Sequence, residues 1–470
     1  NDHIADSDQF NLFGDSNGSL DTKLLATIQR VADIVSMSLG LLDFEAFRHG
    51  PGAVADRLRG IEKFSFTRWS PRLEEQFPIL GNALPLGTDD RSWDEWEIPS
   101  RLIAVPKTIT GPRLIASEPS DHMFAQFSVM EALVERVRTT YLGKSIDFSS
   151  QEPSRQAALL GSLTGSTCTI DMKSASDRIS LWLIERFFRK NEPLLRAFRA
   201  CRTALVDLTI DKKLPKLHRL KKFTTQGSAL TFPVQSIVFS TVAYAAGLHV
   251  RGLAPSERNV ARIAKEVRVF GDDIIVPKDW LETFRTMTSL IYLRVNDTKT
   301  HGSGYFRESC GMDAFMGHDV TPAYVREAEC RAERSITASV LETSNNFFKK
   351  GWWNAARWIE STLPRTIRDN IPVRNVVGCS PCLISFSGNA GTVANKRRWN
   401  HELQREEEWR ISIKSKIAPL KAGGSLLLQA YLCLNTYRPV EPSYEGIPPW
   451  RPYSRWEAIP VIRGGWEPSL

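Results

Sequence analysis

The chain has 470 residues, of which 42% are hydrophobic and 24% are charged, so it is long enough for about three domains or subdomains with a sizeable core. Its formal net charge of +8 favours a polyanionic partner such as nucleic acid, although an excess of this size is also compatible with a role in solubility alone. The composition describes a globular protein, and the sequence shows no internal repeat or low-complexity tract.

The cysteines and the apolar stretches further narrow the class of protein to which the chain can belong. Seven cysteines, an odd number, argue against a disulfide framework and favour a reducing cytosol. Cys379 and Cys382 have zinc-like spacing, but no second pair follows them, so we predict no zinc site there. The longest apolar stretch, Phe232 to Gly247, is too short for a membrane span and predicts a buried helix, hence no membrane contact. The N-terminus lacks both an initiator Met and the pattern of a secretion signal.

The first elements in chain order are amphipathic helices and a basic hairpin. Helical periodicity is clear over Leu24–Leu42, and an irregular Trp- and acid-rich stretch follows at 88–96. From Arg101 to Glu118, two apolar extended runs flank a turn and predict a hairpin with Lys107 and Arg113 on neighbouring arms. Such cations suit a triphosphate, and solvated surface charge is the alternative.

A helix predicted from Met123 to Thr139 precedes an apparent strand, Cys168–Met172, and a second helix over about Ser176–Arg189. Asp171 lies at the end of this strand, where it either contributes to a metal site or is an N-terminal acid stabilised by the helix dipole. Asp177 lies six residues later. It could equally be an acidic residue in the first turn of a helix with no functional role.

A basic insertion then precedes a glycine turn, Gln226-Gly227-Ser228. The basic residues of the insertion are Lys212, Lys213, Lys216, His218, Arg219, Lys221 and Lys222. The turn offers flexible backbone and a hydroxyl at the start of a long helix, which suits contact with a sugar or phosphate. A simple N-cap is the alternative.

The segment Val267–Val276 places two adjacent carboxylates, Asp272 and Asp273, at the tip of an apolar hairpin whose tight turn Gly271 permits. Because an unpaired carboxylate in an apolar site is costly, this pattern predicts a bound cation or a paired base, with a solvated turn as the alternative. Together with Asp171 on a neighbouring strand, these carboxylates are suited to a pair of Mg²⁺ ions.

The C-terminal part reads as basic helices after about Asp319, with a further basic cluster at 396–399. The tail from Tyr437 to Leu470 is rich in Pro and Trp. We predict that it is an extended strap laid over the body, with a partner-binding segment as the alternative.

Five motifs follow one another between Arg101 and Arg326. They are Val105-Pro-Lys107, Thr169-Ile-Asp171 with Ser174-Ala-Ser-Asp177, Gln226-Gly-Ser228, Phe270-Gly-Asp-Asp273 and Phe306-Arg-Glu-Ser-Cys-Gly311. In this order they resemble the leviviral replicase catalytic (beta) subunits, the RNA-dependent RNA polymerases of single-stranded RNA bacteriophages. The Gly-Asp-Asp hairpin is shared by most viral RNA polymerases, whereas the Phe306–Gly311 run is narrower and points to the phage group. Ser228 and Phe270 stand where the family often has Asn and Tyr.

The resemblance implies an α+β fold, a right hand of fingers, palm and thumb with an antiparallel palm sheet backed by helices. The implied segments are 1–95, a helical region bridging fingers and thumb; 96–165, fingers with the basic hairpin; 166–325, palm with a fingers insertion near 195–228; 326–436, thumb and C-terminal helices; and 437–470, the extended tail.

The resemblance also implies a role for each matching residue. The implied catalytic residues are Asp171, Asp272, Asp273 and Lys299; the metal ligands Asp171, Asp272, Asp273 and the main chain of Met172; the nucleotide-binding residues Lys107, Arg113, Asp177, Gly227 and Ser228; and the RNA-binding residues Lys221, Lys222, Arg307, Lys396, Arg397 and Arg398. Lys299 would protonate the leaving pyrophosphate. Asp272 is expected to bind the metal directly, and Asp273 either directly or one shell further out.

The implied activity is RNA-dependent RNA synthesis on a phage genome in the cytoplasm of the bacterial host, with two Mg²⁺ ions that Mn²⁺ can replace. The implied partners are RNA template and product, nucleoside triphosphates, host elongation factors Tu and Ts, and a ribosomal protein with single-strand-binding domains. Two alternatives stay open: a polymerase of a mitovirus- or narnavirus-like replicon, and a catalytically silent RNA-binding assembly protein. The second predicts decay of the acidic residues, yet Asp171, Asp272 and Asp273 are all present.

Overall fold

The structure is a computed structural model that describes most of the chain. The described residues are 20–66, 68–79, 97–108, 111–210, 213, 215–325, 337–368, 371, 373–374, 382–386, 397–416 and 459–468. They fall into two compact units, the first extending to Thr321 and the second beginning at Pro322 and including the segment 459–468.

Helices and strands alternate irregularly along the chain. The helices are α1 Leu20–Ser38, α2 Pro71–Gln76, α3 Ser120–Thr139, α4 Glu152–Thr164, α5 Ala175–Arg178, α6 Leu181–Phe187, α7 Glu192–Cys201, α8 Thr231–Val250, α9 Glu257–Ile263, α10 Leu281–Leu290, α11 Thr337–Lys349, α12 Trp353–Ser361 and α13 Arg365–Arg368. The strands are β1 Ser100–Thr108, β2 Gly111–Ser117, β3 Thr167–Asp171, β4 Leu205–Asp207, β5 Leu217–Arg219, β6 Arg268–Phe270, β7 Asp273–Pro277, β8 Phe306–Ser309, β9 Met312–Phe315, β10 His318–Asp319, β11 Val373–Arg374, β12 Leu383–Ile384, β13 Arg397–Asn400, β14 Arg405–Lys416 and β15 Ile459–Pro468. The mixed α+β class predicted from the sequence is confirmed.

Three sheets organise the first unit. The central one has the strand order β3-β7-β6, and both of its pairings are antiparallel. A second sheet has the order β2-β1-β4-β5 and contains the predicted basic hairpin as its β1–β2 pair. The third, β10-β9-β8, is a meander of short strands. The inner positions of β3 and β7 are buried, as expected of a sheet backed by helices.

Helix α8 forms the core of the first unit. It contacts α1 and α10 as well as the strands β6 and β7. Among the described residues it is the one helix long and apolar enough to cross a membrane, and 89% of its most apolar window is buried inside the protein. The burial has a simple cause, because α8 carries apolar residues around its whole circumference. The prediction of a buried core helix at Phe232–Gly247 is confirmed.

The helix predicted over Ser176–Arg189 is wrong in one respect, because it is two helices. The break lies at Ile179 and Ser180, where the chain is extended. Ser180 caps α6 by accepting a hydrogen bond from the backbone N–H of Leu183 at 3.1 Å. The N–H of Phe223 donates to the carbonyl of Ile179, so the break also pairs with the end of the basic insertion. The preference of Ser for an N-cap and this tertiary pairing together outweigh the helical periodicity.

The second unit begins as predicted with helices, but the helical prediction for 326–436 is wrong beyond Arg368. The described elements after that residue are all strands, and β14 pairs with β13 on one side and with β15 on the other. The reason is visible in β14, where Trp409, Ile411 and Ile413 alternate with polar residues at the period of a strand.

The predicted tail strap contributes β15, which lies antiparallel to β14 over Ile459–Pro468. The predicted segment boundary between 436 and 437 therefore separates two strands of one sheet. The remaining fingers, palm and thumb boundaries stay predictions. The cysteines within the described residues, Cys168, Cys201, Cys310 and Cys382, are all free, and Cys330, Cys379 and Cys433 lie outside the described residues.

Candidate active site

The acidic hairpin is a two-residue turn, Gly271-Asp272, between paired residues Phe270 and Asp273. Gly271 has φ of +66°, and a Cβ there would lie 2.7 Å from the ring of Phe232. Its N–H donates to the hydroxyl of Ser236 on α8 at 3.0 Å. A residue other than glycine would need an unfavourable backbone conformation here and would displace the ring of Phe232.

The central sheet brings Asp171 directly opposite Asp273. These two residues are register partners on β3 and β7, so their side chains lie on the same face of the sheet. The sequence predicts Asp171 and Asp272 on neighbouring strands; the structure pairs Asp171 with Asp273 instead and leaves Asp272 exposed in the turn. Like charges directly opposite each other destabilise a sheet, so this pair favours a compensating cation.

The pKa of Asp273 is raised by its surroundings. It is raised from 3.8 to about 6, mainly by burial and then by the charges of Asp272 and Asp171, and hydrogen bonds from Cys310 oppose the rise. The backbone N–H of Cys310 donates to Asp273 Oδ2 at 3.1 Å. A carboxyl group with a pKa near neutrality is less than fully ionised in the free protein, and an added cation would favour its charged form.

Asn296 is a site residue that sequence reasoning missed. Its side-chain Nδ2 donates to Asp171 Oδ2 at 2.6 Å, and its backbone N–H donates to the Asp171 carbonyl at 2.8 Å. Within Val295–Lys299, the family resemblance implies a role only for Lys299. Lys299 ends a short 3₁₀ turn and is exposed. Asn296 stands between Val295 and Asp297, and this local sequence gives no signal of a functional role.

The Phe306–Gly311 motif forms a hairpin whose turn reaches the acidic site. Cys310 and Gly311 have φ of +51° and +72°, the conformation of a type I′ turn between β8 and β9. This turn is what places the N–H of Cys310 on Asp273. The motif that carried the narrowest family signal is therefore in direct contact with the Gly-Asp-Asp hairpin.

Arg307 in the same motif does not lie on an RNA-binding surface. Its side chain is 0% exposed, and its guanidinium donates to main-chain carbonyls, including that of Thr167 at 2.6 Å and that of Gly304 at 3.1 Å. The prediction that Arg307 contacts RNA is corrected accordingly. The planar fork of donors holds the start of β3 to the loop before β8.

The glycine turn packs against the basic hairpin. Gly227 has φ of +131°, and a Cβ there would lie 2.0 Å from the carbonyl oxygen of Ala116. The N–H of Ala116 donates to the carbonyl of Gln226 at 2.7 Å. Helix α8 begins at Thr231, with Leu230 in the N-cap position, so Ser228 is not a simple N-cap. The turn is thus built onto β2, the strand that carries Arg113.

Asp177 is held by a cation from the basic insertion. Lys222 Nζ lies 2.6 Å from Asp177 Oδ1, and the two side chains are 15% and 37% exposed. Lys222 is therefore committed to an ion pair within the protein, whereas its neighbour Lys221 is exposed. The role of Lys222 in RNA binding stays a prediction, as does that of Lys221.

The remaining predicted cations belong to both units. Arg113 is exposed on β2, and the side chain of Lys107 lies outside the described residues. In the second unit, Arg398 pairs with Glu407 at 2.9 Å and lies 4.5 Å from the ring centre of Trp466. Lys396 and the side chain of Arg397 also lie outside the described residues.

The acidic residues of this site are suited to Mg²⁺ when other ligands complete its coordination shell. Within the described ranges, no three His, Cys, Asp or Glu side chains are grouped closely enough to hold a metal ion by themselves. Asp171 and Asp273 are nevertheless hard oxygen donors at paired positions of the sheet, and the charge of Asp171 raises the pKa of Asp273. Mg²⁺ commonly binds one or two carboxylates and completes its shell with water and substrate phosphates. Two carboxylates in this arrangement fit that mode of binding.

Fold and site together define a mixed α+β protein whose acidic residues meet at one end of an antiparallel sheet. The chain belongs to the RNA replicase, beta-chain, family, which matches residues 79–336. The resemblance to leviviral replicase subunits is thereby confirmed.

Two relatives illustrate the similarity. The RNA-directed RNA polymerase subunit beta of Qbeta virus (strain MX1) is 32% identical over 288 residues, which are 59% of this chain and 44% of that protein. The RNA-directed RNA polymerase beta chain of Enterobacteria phage GA is 28% identical over 296 residues, 62% of this chain and 50% of that one. The chain thus spans about half the length of these relatives.

A solved structure is also similar. It is an insertion-loop deletion mutant of the RNA-dependent RNA polymerase of a human picobirnavirus, with a TM-score of 0.44 and 11% identity, covering 77% of this chain and 76% of that chain.

Proposed function

We propose that this chain carries out RNA-directed RNA synthesis, adding a nucleotide to a 3′-hydroxyl and releasing pyrophosphate. The observation that carries the proposal is the pairing of Asp171 with Asp273 beside the Asp272 turn, in a member of the RNA replicase, beta-chain, family. The names of the relatives, RNA-directed RNA polymerase subunit beta or beta chain, support it.

Mg²⁺ would be held by Asp171 and Asp273, with Asp272 and the main chain of Met172 as further oxygen donors. When bound, it would supply charge stabilisation at the attacking and leaving oxygens, and Mn²⁺ is the substitute with the same preference for oxygen. Asn296 would keep Asp171 oriented, because it donates to one oxygen of that carboxylate at 2.6 Å. Cys310 would do the same for Asp273.

The other predicted site residues would recognise the nucleotide. Asp177 and Ser228 would face its ribose, and Lys107 and Arg113 would hold its triphosphate. Gly227 supports the same role, because its lack of a side chain lets the Ser228 turn pack against the hairpin that carries those cations. Lys299 would protonate the leaving pyrophosphate; its exposure is compatible with proton exchange with solvent.

RNA would be bound by the exposed cations of the basic insertion, which include Lys221. Because each neutralised phosphate releases counterions, binding by this surface would weaken steeply with salt. Elongation factors Tu and Ts, the ribosomal protein and the cytoplasm of a bacterial host remain predictions from the resemblance. The relatives, from Qbeta virus and an Enterobacteria phage, are compatible with them.

The decisive experiment is nucleotide incorporation on a primed RNA template with Mg²⁺, comparing the parent chain with Asp272→Asn. A matched control is Asp279→Asn, an exposed aspartate in the short 3₁₀ segment Lys278–Trp280. We expect the Asp272 variant to lose at least about a hundredfold in rate and the Asp279 variant to retain the parent rate. Robust synthesis by Asp272→Asn would refute the assignment. A parent that stays inactive even with bacterial host extract would favour the RNA-binding assembly protein.

A further inference from the structure

A buried polar network surrounds Gln126 on α3, outside the residues that the motifs single out. The Gln126 side chain is 0% exposed, and it connects to Glu118, which is 2% exposed. Glu118 in turn accepts hydrogen bonds from the hydroxyls of Thr203 and Thr225. A network of this kind is retained only when its members satisfy one another, because each unpaired polar group would be costly at this depth.

The partners of Gln126 determine which way its amide points. Nε2 faces two groups that can only accept, the Glu118 carboxylate at 3.2 Å and the Cys201 carbonyl at 2.9 Å. On the other side, Oε1 accepts from the backbone N–H of Ala229 at 3.1 Å. A flipped amide would put its NH₂ group against that N–H and its oxygen against two acceptors, so the orientation is unique.

This orientation determines the polarity of the Ser228 hydroxyl. Ser228 Oγ donates its proton to Gln126 Oε1 at 3.0 Å, and the backbone N–H of Leu230 donates to the same Oγ at 3.3 Å. A hydroxyl has one proton and two lone pairs. One lone pair therefore remains, and Ser228, which is 8% exposed, presents an acceptor but no donor to anything that approaches it.

We propose that Gln126 is a positioning residue that keeps Ser228 an acceptor, so that the turn selects a sugar substituent able to donate a hydrogen bond. The inference rests on the proposed function, in which Ser228 faces the ribose of the incoming nucleotide. Asp177 on helix α5, whose carboxylate pairs with Lys222, would impose the same demand. A site of this kind rejects an analogue that lacks the donor, because its own buried polar group is left unpaired.

The first test needs no substitution. On a primed RNA template whose next base is C, the parent is given GTP or its 2′-amino, 2′-fluoro or 2′-deoxy analogue, and kcat/KM is measured for each. The 2′-amino group donates, whereas fluorine and hydrogen do not. We expect the amino analogue to lie within about tenfold of GTP and the other two to fall by at least about a hundredfold. Use of the fluoro analogue at the rate of GTP would overturn the proposal.

The second test compares Gln126→Met with Thr203→Val. The Met variant keeps side-chain volume but frees the Ser228 proton, which can then point towards the ligand. We expect its penalty against the fluoro analogue to shrink by about five- to tenfold relative to the parent. Thr203→Val removes a different bond to Glu118, so it should lower the melting temperature while changing that penalty by less than about twofold. Equal shifts in both variants would indicate a merely structural role and refute the proposal.

Equilibrium binding of the same four nucleotides separates this inference from the proposed function. A parent that synthesises RNA but binds and uses the fluoro analogue as well as GTP refutes only the role of Gln126. A parent that synthesises nothing yet binds GTP and the amino analogue more tightly than the other two refutes RNA synthesis and supports the acceptor. Equal binding of all four refutes the acceptor whatever the activity.

Discussion

Asp171 and Asp273 face each other as register partners across β3 and β7, and Asn296 and Cys310 each donate a hydrogen bond to one of them. The two carboxylates are thus oriented by neighbours, while the charge of Asp171 repels that of Asp273 and raises its pKa. In the free protein this arrangement costs stability, and a bound cation would recover it.

The repulsion predicts how stability depends on pH. The pKa of Asp273 is raised from 3.8 to about 6, so folding favours the protonated form. The stabilising contribution of that form is fully present below about pH 4 and is lost as the pH rises through about 6. Asp273→Asn, neutral at every pH, should therefore gain in melting temperature over the parent between pH 5 and pH 8. Asp279→Asn, on the exposed 3₁₀ segment, should show no such gain; a pH-independent difference for Asp273→Asn would contradict the assignment.

Mg²⁺ should stabilise the parent in a pH-dependent way. At ten times its dissociation constant, a ligand that binds only the folded state adds about 1.4 kcal/mol to the free energy of unfolding. We expect a gain of this order at pH 8 and a smaller one at pH 5, because protonated Asp273 competes with the cation. Thermal melts of the parent and of Asp273→Asn at constant ionic strength measure it. The same gain in both proteins would place Mg²⁺ elsewhere.

The ion pair between Lys222 and Asp177 should affect sugar discrimination. Lys222→Met removes the ammonium 2.6 Å from the carboxylate and leaves Asp177 less well oriented. We expect the preference for GTP over its 2′-deoxy analogue to fall by about three- to tenfold. Lys221→Met, at the exposed neighbouring position, is the matched control and should keep the preference. The measurement is the ratio of the kcat/KM values for the two nucleotides. An effect of equal size in both variants would point to a role in RNA binding instead.

Gly227 should not tolerate a side chain. In Gly227→Ala, the added Cβ would lie 2.0 Å from the Ala116 carbonyl oxygen, and the φ of +131° is itself unfavourable. We expect a loss of at least about 3 kcal/mol in the free energy of unfolding. Gly252→Ala, also at positive φ but with no atom within 4 Å of the new Cβ, should lose only about 1 kcal/mol. Urea unfolding compares the two, and equal losses would rule out the steric contact with β2.

The basic insertion should account for part of the salt dependence of RNA binding. Lys216 and Arg219 are exposed, and replacing both by Gln should reduce the slope of log K against log salt by about 1 to 2 for a single-stranded RNA. Lys190 is an exposed cation in the turn after α6, and Lys190→Gln should leave the slope unchanged. Filter binding between about 50 and 200 mM salt suffices. A flat response in the parent would contradict electrostatic binding altogether.

Much of this site follows from local sequence pattern. The Gly-Asp-Asp hairpin, the basic hairpin and the buried helix around Phe232–Gly247 were all predictable, because turn glycines and runs of apolar residues express their structure within a few residues of chain. The strand at Cys168–Met172 was predictable for the same reason. The prediction of helices beyond Arg368 was wrong because apolar and polar residues alternate in β14 at the period of a strand.

What only the tertiary structure decided is which atoms meet. Nothing local indicates that Asp171 pairs with Asp273 and not with Asp272, because strand register is set by contacts between segments about a hundred residues apart. The same holds for Arg307, whose charge suggested a surface role but whose guanidinium is needed by buried carbonyls. Gln126 is the clearest case: its function depends on the direction of one amide, which Glu118, Cys201 and Ser228 determine together, and the last two are distant in the chain.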